Sequence, residues 1–230
     1  MKPHAASSSS HAEQHLRLFE AQRRELVAML RRKGIREEAV LAALGRLPRE
    51  EFVHRAFVME AYNDSALPIG NRQTISQPYT VAVMTVALQV QQGAKILEIG
   101  TGSGYQAALL ALLGARVFSI ERHKSLFDTA FATLQRLQIP VTMKLDDGSL
   151  GWQEHAPFDG IIVTAGAPDV PPALTHQLTI GGRLVIPVGD KAVQKLYTIT
   201  RTGAETFAAQ EHQEFRFVPL VGQEGWPHEE

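Results

Sequence analysis

No cysteine occurs among the 230 residues, which excludes disulfides, a thiolate nucleophile and cysteine-ligated metal. An excess of one charge is also missing, since 23 Lys and Arg against 24 Asp and Glu give a formal net charge of −1. A chain that neutralises several phosphates carries a basic excess or a basic stripe, so nucleic acid is not an expected partner. No apolar run approaches the length of a membrane span, and Met1 to His15 lacks the apolar centre of a secretory leader. The expected setting is therefore the cytoplasm, with no membrane contact. The histidines are scattered and raise no expectation of a metal site. What remains, 44% hydrophobic and 20% charged residues, is the composition of an ordinary globular protein with a sizeable core.

Along the chain, residues 1–12 (MKPHAASSSSHA) are small, polar and Ser-rich, the composition of a disordered tail. Residues 13–93 read as a helical extension. Good helix formers run from Glu13 to Lys33 with Leu16, Phe19, Leu26, Met29 and Leu30 near one face, and Gly34 is a stop. A shorter helix over Arg36 to Leu44 precedes an irregular stretch reaching Gly70. From residue 94 to 230 the pattern changes to short β-rich runs alternating with helices. Lys95 to Ile99, Arg116 to Ile120, Val141 to Leu145, Gly160 to Val163 and Arg183 to Val188 read as strands, with helices over Tyr105 to Leu113 and Lys124 to Leu137. That alternation predicts a doubly wound, mostly parallel α/β sheet. Lys195 to Arg201 and Glu211 to Leu220 predict an antiparallel addition at its edge.

The sharpest local signal is Lys95-Ile-Leu-Glu-Ile-Gly-Thr-Gly-Ser-Gly-Tyr105, a strand running into a turn with Gly100, Gly102 and Gly104, then a helix. Such glycines bring backbone close to a ligand. Gly102, Gly104 and Ala107 also satisfy the G-x-G-x-x-A variant of a dinucleotide fingerprint, so a dinucleotide oxidoreductase is one rival. Glu98 decides against it: an anion beside a pyrophosphate repels it, whereas a ligand carrying a sulfonium and an ammonium makes that carboxylate an asset. Glu121, 17 residues after Gly104 at the end of the next strand, suits two ribose hydroxyls. Asp147 and Gly148 follow the third strand, where open α/β folds bind ligands, and suit an adenine. A plain Asp-Asp-Gly turn competes with that reading. The fourth strand, Phe158 to Pro168, ends at Thr164 in a loop of small residues that leaves room for a methyl group. The expected cofactor is S-adenosyl-L-methionine.

Taken in order, Leu67-Pro-Ile-Gly70, Gln73-Thr-Ile-Ser-Gln-Pro-Tyr79, Ile96 to Tyr105, Asp147-Gly148 with Gly151-Trp152, Phe158 to Pro168, Gly181 to Gly189 and Arg216-Phe-Val-Pro-Leu220 resemble the protein-L-isoaspartate O-methyltransferase family. The likeness spans about Glu25 to Val221, and its Thr-Ile-Ser-Gln-Pro stretch is the most particular part. It implies a class I methyltransferase fold with a seven-stranded sheet, and isoaspartyl peptides and proteins as substrates. The substrate is then expected at Thr74, Ile75, Ser76 and Val221, with Ser76 matching the family's catalytic serine. The cofactor is expected at Glu98, Gly100, Thr101, Gly102, Ser103, Gly104, Glu121, Asp147, Gly148 and Thr164. Asn71, Val86 and Asp146 depart from the family pattern.

Methyl transfer to a carboxylate needs alignment more than acid–base help, because the nucleophile is already ionised at neutral pH. The expected activity is methylation of the free α-carboxylate of isoaspartyl residues by a monomeric enzyme. The alternatives are a methyltransferase for a small-molecule carboxylate and a module that binds cofactor without turnover. On spacing alone, Ser76 in Ser-Gln-Pro reads better as a cap for the following helix, and it is the resemblance that reverses this.

Overall fold

In the computed structural model the backbone is described for residues 6–227 and the side chains for residues 17–227. Helix α1 spans Ala6–Arg32 and α2 spans Glu38–Arg46. The start of α1 lies inside the stretch that composition assigns to a tail. Ala and Ser tolerate helix, and propagation from a nucleated helix costs far less than nucleation. Residues 1–5 of that stretch lie outside the described residues. Leu26 and Leu30 from α1 pack with Val40, Leu41 and Leu44 from α2, the spacing that one buried helical stripe produces.

The stretch after α2 is more ordered than its composition suggests. A short turn over Arg49–Phe52 leads to a hairpin, β1 (Leu67–Gly70) and β2 (Gln73–Ile75). Its turn residues Asn71 and Arg72 both have positive φ, 49° and 57°, as the two central residues of a type I′ turn do. Asn tolerates this conformation better than most residues, which accounts for Asn71 where the family commonly has glycine. Helix α3 (Pro78–Leu88) follows at once, with proline in its first turn.

The core begins with β3 (Lys95–Ile99), α4 (Tyr105–Leu112), β4 (Arg116–Glu121), α5 (Lys124–Arg136), β5 (Val141–Leu145) and β6 (Phe158–Val163). It ends with α6 (Pro172–His176), β7 (Leu178–Gly189), β8 (Gln194–Arg201) and β9 (Phe207–Phe215). One seven-stranded sheet has the order β5-β4-β3-β6-β7-β8-β9, parallel from β5 through β7 and antiparallel at β7–β8 and β8–β9. The predicted doubly wound, mostly parallel sheet and its antiparallel edge are both present. Strand β9 lies earlier than the predicted Glu211 to Leu220 run, because Phe217, Val218 and Leu220 belong to the segment after it.

Alternate residues of the strands serve the two faces. Ile96, Val117, Ile162 and Val185 meet Met84 and Leu88 of α3 and Ala107 and Leu110 of α4. Leu97, Phe118, Ile161 and Leu184 meet Trp152, Leu174 and Leu220 on the other face. The extension is not a detached appendage, since Leu26, Leu44 and Phe52 share a cluster with Tyr105, Leu109 and Leu134. Strand order reverses between β3 and β6, and open α/β sheets bind ligands at the carboxyl ends flanking such a reversal.

Candidate active site

At that reversal lies an open cleft, where this class of fold places its ligands. It gathers Thr74, Ile75, Ser76, Glu98, Gly100, Thr101, Gly102, Ser103, Glu121, Gly148, Thr164 and Val221. Two expected residues do not line it. Gly104 caps α4 with φ 86° and packs under Leu134. Asp147 is the more informative case: its Oδ1 accepts from Ser149 N at 2.9 Å and from Ser149 Oγ at 2.7 Å, and its Oδ2 from Gln223 N at 2.7 Å. The Asp-Asp-Gly segment forms a side-chain-capped turn that turns the carboxylate toward the C-terminal residues. Gly148 does line the cleft, and an added Cβ there would meet Ile99 Cγ2 at 2.5 Å.

The glycine turn is shaped by its neighbours. Gly100 has φ +92°, and a Cβ there would sit 2.6 Å from Thr164 Oγ1, which donates to the Gly100 carbonyl at 2.6 Å. Glu121 is held at both oxygens by backbone, with Gly102 N to Oε2 and His123 N to Oε1 each at 2.8 Å. Each carboxylate oxygen accepts more than one hydrogen bond, so the group retains capacity for two ligand hydroxyls in a fixed orientation.

Glu98 is fully buried and lines the same cleft. Parallel register places it opposite Ser119, whose hydroxyl donates to Glu98 Oε2 and lies 2.6 Å from Thr101 Oγ1. Oε1 has no hydrogen-bond partner among the described residues. Burial pushes the Glu98 carboxyl up to about 8, with the charge of Glu121 adding to the rise and the Ser119 hydroxyl opposing it. From its place in the strand Glu98 is expected as a standing anion; burial instead makes it hold its proton more tightly than an exposed carboxyl does. An orphaned oxygen on a buried acid and two backbone-fixed carboxylate oxygens beside a close-packed glycine turn offer acceptors for the ammonium and the ribose hydroxyls of an α-amino, ribose-bearing cofactor. S-adenosylmethionine fits these residues.

Ser76 does not cap α3. The N-cap is Gln77, with no side-chain hydrogen bond, and the Tyr79 amide donates instead to Asp64 Oδ1 at 2.9 Å. Thr74, Ser76, Thr164 and Val218 line both this cleft and an adjoining one, which is completed by Gln77, Glu214, Arg216 and Phe217. Residues 218–226 form a strap over the first cleft. Gly166 N donates to the Val218 carbonyl and Leu220 N to the Gly166 carbonyl, each at 2.8 Å, while Glu224 N donates to Ser149 Oγ at 3.0 Å and Trp226 Nε1 to the Gly166 carbonyl at 3.1 Å.

Sequence reasoning missed Ser119 and Val218. A lone polar residue inside Val117-Phe-Ser-Ile-Glu121 was a readable signal for the first; the second lies inside the Arg216-Phe-Val-Pro-Leu220 motif, whose individual residues carried no assigned role. Among the described residues, no group of three His, Asp or Glu side chains is placed to hold a metal, and no helix is long and apolar enough to cross a membrane.

A relative from Cytophaga hutchinsonii, named protein-L-isoaspartate O-methyltransferase, is 50% identical over 209 residues, covering 91% of this chain and 95% of its own. One of the same name from Chlorobium phaeovibrioides is 51% identical over 215 residues, covering 90% and 93%. A solved protein-L-isoaspartate O-methyltransferase superposes with TM-score 0.80 at 28% identity, over 88% of this chain and 67% of that one. A solved Plasmodium falciparum chain in complex with S-adenosyl-L-homocysteine shares the fold, with TM-score 0.76 at 24% identity over 86% of this chain and 98% of that one. The family model for protein-L-isoaspartate(D-aspartate) O-methyltransferase matches residues 21–225, from the middle of α1 to the strap. With the glycine turn, the Ser76 segment and all of the strap but Trp226 inside that match, the chain belongs to the protein-L-isoaspartate(D-aspartate) O-methyltransferase family.

Proposed function

We propose that this protein methylates the free α-carboxylate of L-isoaspartyl residues, using Ser76 to align the acceptor and the glycine turn with Glu98 and Glu121 to hold S-adenosylmethionine. The observation that carries the reading is the shared wall of Thr74, Ser76, Thr164 and Val218 between two clefts. A methyl group leaving one compartment for an acceptor in the other must pass that wall. When bound, the cofactor supplies an electrophilic methyl group on a sulfonium. The rest is alignment by the chain, because an α-carboxylate is ionised well below neutral pH. The Ser76 hydroxyl donates to one acceptor oxygen and leaves the other facing the cofactor. Thr164 fixes the glycine turn, Glu121 takes the ribose, and the Gly148 backbone flanks the adenine while Asp147 acts through the strap. Ile75 is buried in the core and sets the height of Thr74 and Ser76, and Val221 closes the outer side. A small-molecule carboxylate is the weaker alternative, since relatives about 50% identical over most of the chain are named protein-L-isoaspartate O-methyltransferase.

The near-zero net charge supports a role without nucleic acid, and the cysteine-free composition fits the cytoplasm.

Replacing Ser76 with alanine is expected to lower kcat on an isoaspartyl peptide roughly 10-fold or more while leaving the Kd for S-adenosylhomocysteine within about threefold, because the lost contact tightens during transfer. Labelled methyl transfer, with base-labile release of methanol marking the ester, measures the first; calorimetry measures the second. Full activity in the alanine variant would remove Ser76 from the mechanism.

Glu98 gives the site a pH signature. Its carboxyl titrates near 8 in the free protein, and a ligand ammonium beside it favours the charged form. Binding therefore expels a proton below about pH 8, so affinity for S-adenosylhomocysteine should rise from about pH 6 to about pH 8 and level off above. Calorimetry in buffers of different ionisation enthalpy reads the released proton directly, and Glu98→Gln should abolish it. A pH-independent affinity with no proton release would separate Glu98 from the ammonium.

A further inference from the structure

Arg49 is fully buried, an expensive place for a guanidinium. Its Nε donates to the Ala61 carbonyl at 2.7 Å and its Nη2 to the Ser76 carbonyl at 2.8 Å. Its Cζ lies 4.7 Å from the centre of the Tyr105 ring, and Tyr105 lines the cofactor cleft as the first residue of α4. The arginine is itself locked from behind. Its own amide donates to Tyr62 Oη at 3.2 Å, and that hydroxyl donates to Glu50 and accepts from Arg23 Nε at 3.1 Å. The segment before β1, the Ser76 segment and the start of α4 thus converge on one side chain that touches neither cleft, while α1 reaches its backbone through Tyr62.

We propose that Arg49 is a positioning residue for methyl transfer: by gripping the Ser76 carbonyl while stacking on Tyr105, it fixes the Ser76 hydroxyl relative to the cofactor turn. Ser76 follows a three-residue strand and is separated from α3 by Gln77, so it lies outside both the strand ladder and the helix. The planar fork of arginine reaches two carbonyls and one ring face at once. Lysine keeps the charge but neither the fork nor the stacking. A displacement of about 1 Å at such a position is enough to cost on the order of a hundredfold in rate.

This inference rests on the alignment role given to Ser76, and a double-mutant cycle separates the two. Arg49→Lys and Arg49→Met are each combined with Ser76→Ala in the full chain, and kcat and KM on an isoaspartyl peptide are measured beside the Kd for S-adenosylhomocysteine. The expected result is a kcat lowered roughly tenfold or more in Arg49→Met and partly restored in Arg49→Lys, with KM and Kd within about threefold. The Ser76→Ala effect should largely vanish in either Arg49 background, since a hydroxyl already out of line has little left to lose. If Arg49→Met does not fold, Arg49→Lys carries the same cycle. Additive effects, with Ser76→Ala still fully damaging in both backgrounds, would overturn the Arg49 role and leave Ser76 standing. A harmless Ser76→Ala in the native background would overturn both.

Discussion

A peptide with a single isoaspartyl linkage should be methylated with a kcat/KM at least about a hundredfold above that of the same peptide with normal aspartate. In the isoaspartyl form the main chain leaves through the former side-chain carbonyl, and the carboxylate hangs directly from Cα. In normal aspartate the carboxylate sits one methylene further out. The wall formed by Thr74, Ser76, Thr164 and Val218 sets a fixed distance between the peptide's compartment and the cofactor's, so an acceptor oxygen on the longer arm misses the transfer line by about one bond length. Discrimination on this basis belongs to kcat/KM, since it reflects differential binding of the transition state. Labelled methyl transfer to paired synthetic peptides measures it. Equal rates on the pair, or activity confined to free small carboxylic acids, would leave the methyltransferase fold intact and remove the repair function.

The second large effect is expected at Glu121. Both its oxygens are pre-set by the amides of Gly102 and His123, so a ribose meets an acceptor pair that needs no reorganisation. Charge-assisted hydrogen bonds are each worth about 1.5–3 kcal/mol, and two of them correspond to roughly 10²- to 10⁴-fold in affinity. Glu121→Ala should weaken S-adenosylhomocysteine binding by at least about a hundredfold. Glu121→Gln should fall between, at roughly tenfold or more, because its amide nitrogen must face one of two backbone N–H donors and one ribose contact is lost. Titration calorimetry on variants with unchanged circular dichroism decides it. A loss under about threefold in the alanine variant would place the ribose elsewhere.

How legible this site was from the sequence depends on how local its physics is. The turn at Gly100, Gly102 and Gly104 announces itself because only glycine satisfies its torsions and its closeness to Thr164. Glu121 was readable from spacing, since a parallel βα unit fixes where the next strand ends. The hairpin of β1 and β2 escaped notice because its strands have four and three residues and its turn is carried by Asn71 and Arg72. Strand β9 was misplaced because it is an exposed edge with almost no alternation in burial, while the apolar residues that drew attention, Phe217 to Leu220, face the clefts. Arg49, in Pro-Arg-Glu-Glu-Phe, reads as one more surface charge; only tertiary contact with the carbonyls of Ala61 and Ser76 shows otherwise. Asp147 was legible as a turn residue and illegible as the anchor of a strap some 75 residues later, because no periodicity encodes a side chain reaching a distant backbone amide.

Acceptor choice and cofactor choice can be re-engineered separately in this protein. Glu214, Arg216 and Phe217 line the second cleft without lining the first, while Glu98, Gly102, Glu121 and Gly148 line the first without lining the second. Changes drawn from the two groups share no contact, so their effects should combine as independent factors. A library at the β9 end can broaden or redirect the peptides accepted, and one at the strand ends can admit cofactor analogues, with neither screen undoing the other. The exceptions are Thr74, Ser76, Thr164 and Val218, where the two demands meet on the same side chains. At those positions alone, a gain in one specificity must be bargained against the other.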